Sequence, residues 1–288
     1  MVEPPDVRRP TRAQVYRRRV VALIVLVVVV AAGVFVGYAT LRDRHSAAPP
    51  PTTTVAPPKI VKVLFPEGYT RREMADHADE ESPAITAADY LRVTERSPLP
   101  GTYAGDGKPR SLEGFLFPAT YDIYETDTAA TLVKKQREAF RQNWARVKLG
   151  YARSKNLTPF DVLTIASMIE KEAVVESERP LIAAVIYNRL HARVPLGIDA
   201  TIRYALGVPG TESLTNADLR NPTPYNTRLR PGLPPGPISN PGLSSMQAAA
   251  HPAKVNYLYF VAKPDKRHHF FTASFDEFEA YKAAHGYG

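Results

Sequence analysis

The 288-residue chain contains no cysteine, which excludes disulfides, thiolate metal sites and a cysteine nucleophile and leaves the redox compartment open. It has no G-x-S-x-G elbow and no S-x-x-K followed by K-T-G, so serine acylation chemistry has no recognisable seat. Walker and dinucleotide fingerprints are also missing. His268 and His269 are neighbours on a predicted strand, where adjacent side chains point to opposite faces, so they do not form one metal site. No cofactor or metal is therefore expected. A broad excess of positive charge is lacking too. Lys and Arg number 37 against 29 Asp and Glu, a net of +8. Eight of the arginines lie in residues 1–44, where only Glu3, Asp6 and Asp43 oppose them. The remainder is nearly balanced, which argues against a nucleic-acid-binding face.

Only one long apolar run exists, the 19 uncharged residues Val20 to Tyr38. As a helix it would be ~28 Å long, about the hydrocarbon thickness of a bilayer. It exceeds an ordinary secretory h-region and reads as a retained transmembrane anchor, although Ala31, Ala32 and Ala39 would suit a cleavage site. Arg8, Arg9, Arg12, Arg17, Arg18 and Arg19 precede the run, and Arg42 and Arg44 follow it. That asymmetry predicts a single-pass protein with residues 1–19 cytoplasmic and everything after residue 44 outside. Residues 39–58 form a Pro/Thr-rich linker whose SAAPPPTTTVAPP stretch favours extended polyproline II.

The external part reads as α+β. In the segment 59–99, Ile60–Phe65 is a predicted strand and Thr70 with Glu73 a capping box, and a second helix opens near Thr86. This small unit suits a carbohydrate-binding module and equally a spacer. Residues 100–288 form a second domain that mixes helices with antiparallel strands. Leu112–Pro118 is an apolar strand or turn at a domain joint. A helix is predicted from Thr128 to about Val147, and another from Thr158, with Pro159 at its first turn and Asp161 completing the cap. A third, from Arg179 or Pro180 to His191, should pack on it as a hairpin. Asn221–Gly242 holds seven Pro and three Gly and is read as an ordered wall of a cleft. A short helix from Ser244 to His251 comes next, then a strand over Val255–Ala262 whose partner is His269–Thr272. Ser274 with Glu277 is a last capping box.

By elimination, chemistry falls to carboxylates. On the helix from Thr158, the apolar stripe centres near Val162 and Ala173, and Glu170 and Glu172 lie about 80° to either side of it. Each stands at the border between core and surface, where partial desolvation raises a carboxyl's pKa toward neutrality. Periodicity does not choose between them, and two solvated glutamates flanking Lys171 is the plain alternative.

Seven motifs follow one another: Ala166–Ala173 (ASMIEKEA), Tyr187–Leu190 (YNRL), Asp199–Ala200–Thr201, Tyr225–Asn226–Thr227, Gly232–Gly242 (GLPPGPISNPG), Ala249–Pro252 (AAHP) and Tyr257–Val261 (YLYFV). In this order, behind one membrane anchor, they resemble the endolytic murein transglycosylases of the YceG-like (MltG) family, over about residues 60–288. The resemblance implies cleavage of nascent peptidoglycan glycan strands at the outer face of the cytoplasmic membrane, and a link to cell-wall synthases. It implies that Glu172 is the catalytic acid, and that residues 59–99 stand for a LysM-like module. Asn188, Asp199, Thr201, Tyr225 and Asn226 are the candidates for holding sugar amides and hydroxyls. Plainer roles exist for two of them: Asp199 as a helix cap for residues 200–206, and Asn188 as a buried structural amide. Two positions depart from the family pattern. Ala119 stands where the family usually has Asp, and Ala200 where it usually has Pro. A catalytically silent peptidoglycan-binding or division-scaffold protein is the alternative reading.

Overall fold

The computed structural model describes residues 12–45, 59–95, 97 and 111–287. Residues 1–11, expected to be the cytoplasmic N-terminus, the Pro/Thr-rich stretch 46–58, and residues 96, 98–110 and 288 lie outside the described residues. The chain divides after residue 57 into two units, each taken by itself below.

The first unit contains one helix, α1 (Arg12–His45). Its apolar span is long enough to cross a membrane, and none of that span is buried. The large apolar side chains from Val21 to Val36 are between 55% and 73% exposed. A helix apolar on all sides is compatible with a single-pass anchor.

The second unit opens with β1 (Ile60–Leu64), which pairs antiparallel with β2 (Thr120–Tyr124); Ile60 faces Tyr124 and Leu64 faces Thr120. Between them lie α2 (Arg71–Glu81) and α3 (Ala87–Glu95), giving a β-α-α-β order. The strand that closes this unit therefore comes from beyond residue 99. The capping box forms as expected: Thr70 Oγ1 accepts from Glu73 N at 3.1 Å, and Glu73 accepts from Thr70 N. Buried Met74, Ala75 and Tyr90 face the sheet and α4 (Ala129–Trp144), and the Tyr90 hydroxyl donates to Gln136 of α4 at 2.6 Å. Helix α5 (Gly150–Ser154) is a single short turn.

At the centre of the fold runs α6 (Pro159–Glu172), with its own capping box of Thr158 and Asp161. Its neighbours are α7 (Arg179–Ala192), which follows a 3-10 turn at Glu176–Glu178, α8 (Asp199–Leu206) and α10 (Leu243–Ala250); α9 (Asn216–Leu219) is a short outlying turn. The periodicity predicts one buried stripe on α6, yet all eight residues from Val162 to Ile169 are buried. The reason is the proline-rich segment, whose second half is part of the core. Ile238 N donates to Ser167 Oγ at 3.0 Å, and Ser239 Oγ donates to the Ser167 carbonyl at 3.1 Å. A serine can sit in that position because its hydroxyl accepts from Ile238 N and itself donates to the Thr164 carbonyl at 2.7 Å.

One buried amide, Asn240, ties three loops together. Its side chain donates to the Tyr69 carbonyl and to Glu113, each at 3.0 Å, and accepts from Leu116 N at 3.0 Å. Helix α7 packs against α6, and the Tyr187 hydroxyl donates to the Ala249 carbonyl of α10 at 2.8 Å. The chain ends in a two-stranded ribbon, β3 (Tyr259–Ala262) against β4 (His269–Thr272), and α11 (Phe275–Ala284). The Ser274 cap forms only in half. Glu277 N donates to Ser274 Oγ, while the Glu277 carboxylate accepts from Thr272 Oγ1.

Candidate active site

The last turn of α6 carries both candidate glutamates, and the structure separates them. Two residues apart on a helix are about 200° apart around its axis, so the carboxyls leave on opposite sides. Glu170 turns toward α7 and α10. Its side chain is 5% exposed and meets Arg179, itself 10% exposed, at 3.0 Å. Its other oxygen accepts from Gly242 N at 2.9 Å. Arg179 also donates to Ser245 Oγ and to Glu176, each at 2.9 Å. Glu170 is thus an internal counter-ion that fixes the end of α6 to the start of α10.

Glu172 turns the other way, toward the first turn of α8, and is only partly exposed. Burial first, and then the Asp199 carboxylate, push its carboxyl up to about 7; Arg203 and a hydrogen bond from the Ala200 backbone pull it down. A carboxyl in that range holds its proton in neutral water and can give it up, as a general acid must. Ala200 is one of the two departures from the family pattern, and it offers Glu172 an N–H that a proline could not.

The other candidate residues divide by what their polar atoms do. Asn188, on α7, donates from its amide to the carbonyls of Val255 and Tyr257 at 3.0 and 2.8 Å. Buried Asn226 donates to the carbonyls of Leu219 and Asn221 and accepts from Arg228 N. Buried Thr201 donates to the Ile198 carbonyl at 2.7 Å and meets Thr227 Oγ1 at 3.1 Å. These three side chains are spent on the framework. Asp199 is not the side-chain cap of α8: Ile198 occupies the cap position, and the Asp199 carboxylate takes a two-pronged bond from Arg228, at 2.5 and 3.0 Å. The half-buried Tyr225 ring lies 5.2 Å from that of Tyr204. Asp199, Thr201 and residues 226–228 therefore form one cross-tied shelf beside Glu172, while Asn188 braces the chain at 255–257.

Sequence reasoning missed Arg179, which pairs with Glu170, Arg203, which pulls the Glu172 carboxyl down, and Arg228, which holds Asp199. Arg228 directly follows the Tyr225–Thr227 motif, a visible signal. Arg179 had none beyond its spacing of three from Glu176. Glu113 was also missed: it is 5% exposed, accepts from Arg71 N, Asn240 and Tyr204, and is pushed up to about 7 chiefly by burial. Among the described residues no cluster of His, Cys, Asp or Glu is arranged to hold a metal. His268 pairs with Asp265 and His269 with Glu178, in line with their opposite faces.

The model of the YceG-like family matches residues 13–284. An endolytic murein transglycosylase of Bacillus subtilis strain 168 is 41% identical over 152 residues, covering 53% of this chain and 42% of that one. One from Streptococcus pneumoniae R6 is 34% identical over 232 residues, covering 71% and 41%. A crystal structure of a yceG-like protein from Listeria monocytogenes matches with a TM-score of 0.69 at 35% identity, covering 80% of this chain and 77% of that chain. The matched stretch spans about two fifths of the length of the two curated relatives.

Proposed function

The chain belongs to the YceG-like family, and from that premise we propose that it is a membrane-anchored lytic transglycosylase. It cleaves the bond between N-acetylmuramic acid and N-acetylglucosamine within nascent peptidoglycan strands. The observation that carries this reading is the isolation of Glu172. Its neighbour Glu170 is consumed by Arg179, while Glu172, on the opposite side of the helix end toward α8, has its carboxyl pushed up to about 7.

The glycosidic bond is an acetal, and breaking it requires a proton on the leaving oxygen and relief of an oxocarbenium-like centre. Glu172 starts protonated and donates to the N-acetylglucosamine oxygen as the C1–O bond breaks. The muramic acid C6 hydroxyl then bonds to C1 and returns its proton to Glu172, leaving a 1,6-anhydro end. One carboxyl suffices because a well-placed internal nucleophile has an effective molarity of about 10⁵ M or more. Tyr225 offers an aromatic face to a sugar ring, and Asn188, Thr201 and Asn226 hold the walls in place. The N-terminus lies in the cytoplasm, and the β-α-α-β unit of residues 60–124 is where a LysM-like glycan contact would reside. Release of finished strands from the synthesis machinery is the corresponding cellular role.

Glu172→Gln tests the reading: the fold is retained, and anhydro-ended products from isolated glycan strands, read by mass spectrometry, drop by ~100-fold or more. Anhydro products at the wild-type rate would overturn the assignment. Reducing ends without the anhydro ring would mark a hydrolase, and no cleavage by the wild type a binding or scaffold protein.

A further inference from the structure

Three of the seven sequence motifs converge on a place other than the end of α6. Tyr187 and Asn188 of YNRL, Pro252 of AAHP and Tyr257 of YLYFV line one hollow of about 600 Å³, together with Tyr151 of α5. Asp199, Ala200 and Arg203, the groups that act on Glu172, do not line it. Asn188 stands nine residues along α7 from Arg179, the partner of Glu170. That is a helical rise of ~14 Å.

The wall of the hollow is held against the local preference of the chain. Val255–Ala262 (VNYLYFVA) is rich in strand formers, yet β3 begins only at Tyr259. Asn188 donates to the carbonyls of Val255 and Tyr257 at 3.0 and 2.8 Å, and Arg189 donates to that of Leu258. Ala253 N donates to the Pro180 carbonyl at 2.9 Å. Side chains of α7 thus keep residues 255–258 out of the strand their sequence favours. Conflicts of this kind between local preference and final structure gather at functional places in a fold.

The hollow offers aromatic faces and unspent polar groups. The Tyr187 ring lies 5.8 Å from that of Tyr151, which is 38% exposed, and Tyr257 is partly exposed. Such rings present flat apolar faces to the C–H side of a pyranose while their hydroxyls meet its polar edge. The Tyr187 hydroxyl is already given to the Ala249 carbonyl, so Tyr187 serves as floor. Lys254 and Asn256 line the hollow from exposed positions, and neither side chain has a bonded partner among the described residues. Lys155 Nζ, 5.5 Å from the centre of the Tyr151 ring, adds a second ammonium, and no Asp or Glu is among the lining residues. An unspent amide suits an N-acetyl group, and an ammonium with no carboxylate of its own suits one brought by the ligand.

With a glycan strand as the substrate, as read above, we propose that this hollow is a second saccharide site. It holds an N-acetylated sugar bearing a carboxylate, a muramyl unit of the strand away from the bond that is cleaved. The carboxylate belongs either to the lactyl group of a stem-free muramyl unit or to an attached peptide stem. A strand held at the first place meets the second intramolecularly, so long strands are favoured over short ones.

The test is strand binding by the full chain carrying Glu172→Gln in detergent micelles, measured by titration calorimetry. The probes are isolated glycan strands, with peptide stems intact or removed by an amidase. Added to that background, Tyr151→Ala weakens binding of both kinds of strand about tenfold. Lys254→Gln weakens binding about fivefold. A loss confined to stem-free strands identifies the lactyl carboxylate, and a loss confined to stem-bearing strands identifies the stem. Should Tyr151→Ala fail to fold, Lys254→Gln and Asn256→Ala, at exposed positions, decide the matter; Asn256→Ala weakens binding about threefold. Affinities within error of the Glu172→Gln protein in all of these variants overturn the proposal. If the wild type cleaves strands while the affinities do not move, only this inference falls; if the wild type neither cleaves nor binds strands, the functional reading falls first.

Discussion

Glu113 offers a prediction whose size follows from its surroundings. It is a buried member of the Leu112–Pro118 turn and is pushed up to about 7 from an ordinary 4.5, burial outweighing its bonds from Arg71 N and Tyr204. A folded-state pKa above the unfolded value means that the native protein binds the proton more tightly. Stability is then full below about pH 4.5 and is lost as pH rises from there to about 7. That gap of roughly 2.5 pH units, at ~1.36 kcal/mol per unit, amounts to about 3 kcal/mol. Glu113→Gln removes this titration. Its amide oxygen still accepts from Arg71 N and Asn240, and the Tyr204 hydroxyl rotates to accept from the amide nitrogen. The variant should be less stable than, or equal to, the wild type at pH 4.5 and gain on it by about 3 kcal/mol by pH 8. Glu172 titrates in the same window in both proteins, so it cancels in the difference. Urea unfolding of the full chain in micelles, followed by the single tryptophan, Trp144, reads the two midpoints. A difference between variant and wild type that is constant across pH 4.5–8 would refute the reasoning.

Two further outcomes are expected. A Cβ on Gly242 would stand 1.8 Å from Glu67 Oε1, while the backbone there, at φ −75°, accepts any residue. Gly242→Ala should therefore cost about 1 kcal/mol by displacing Glu67, yet become neutral or stabilising in a Glu67→Ala background; an equal loss of melting temperature in both backgrounds would count against this. Removing residues 1–45 should move the protein from the detergent phase to the aqueous phase in a cloud-point separation. Retention in detergent would show that α1 is not the anchor.

What the sequence revealed of the fold was whatever is decided locally. The boxes Thr70/Glu73 and Thr158/Asp161 form because their partners sit three residues apart. The same signal in Thr215/Asp218 went unread, and it opens α9. Features that depend on distant partners stayed hidden. β2 is a strand because β1, sixty residues earlier, pairs with it. The expected strand from Val255 begins only at Tyr259, because side chains take the carbonyls a ladder would need. Asn188 captures those of Val255 and Tyr257, and Arg189 captures that of Leu258. The Ser274 box is half made because Thr272, two residues upstream, competes for Glu277.

The choice between Glu170 and Glu172 shows where such reading stops. A helical wheel places both at the edge of the stripe, symmetric to within its own precision. The symmetry is broken by what arrives from elsewhere in the chain: a buried guanidinium from residue 179 on one side, a carboxylate and a backbone N–H from residues 199 and 200 on the other. Glu170 is held in an ion pair with Arg179 and accepts from Gly242 N, while Glu172 has no arginine bonded to it among the described residues. The two positions share exposure class and helix but differ in the sign of the charge facing them. Burial raises the Glu172 carboxyl first and the Asp199 carboxylate adds to it, whereas Glu170 is taken up by the Arg179 pair.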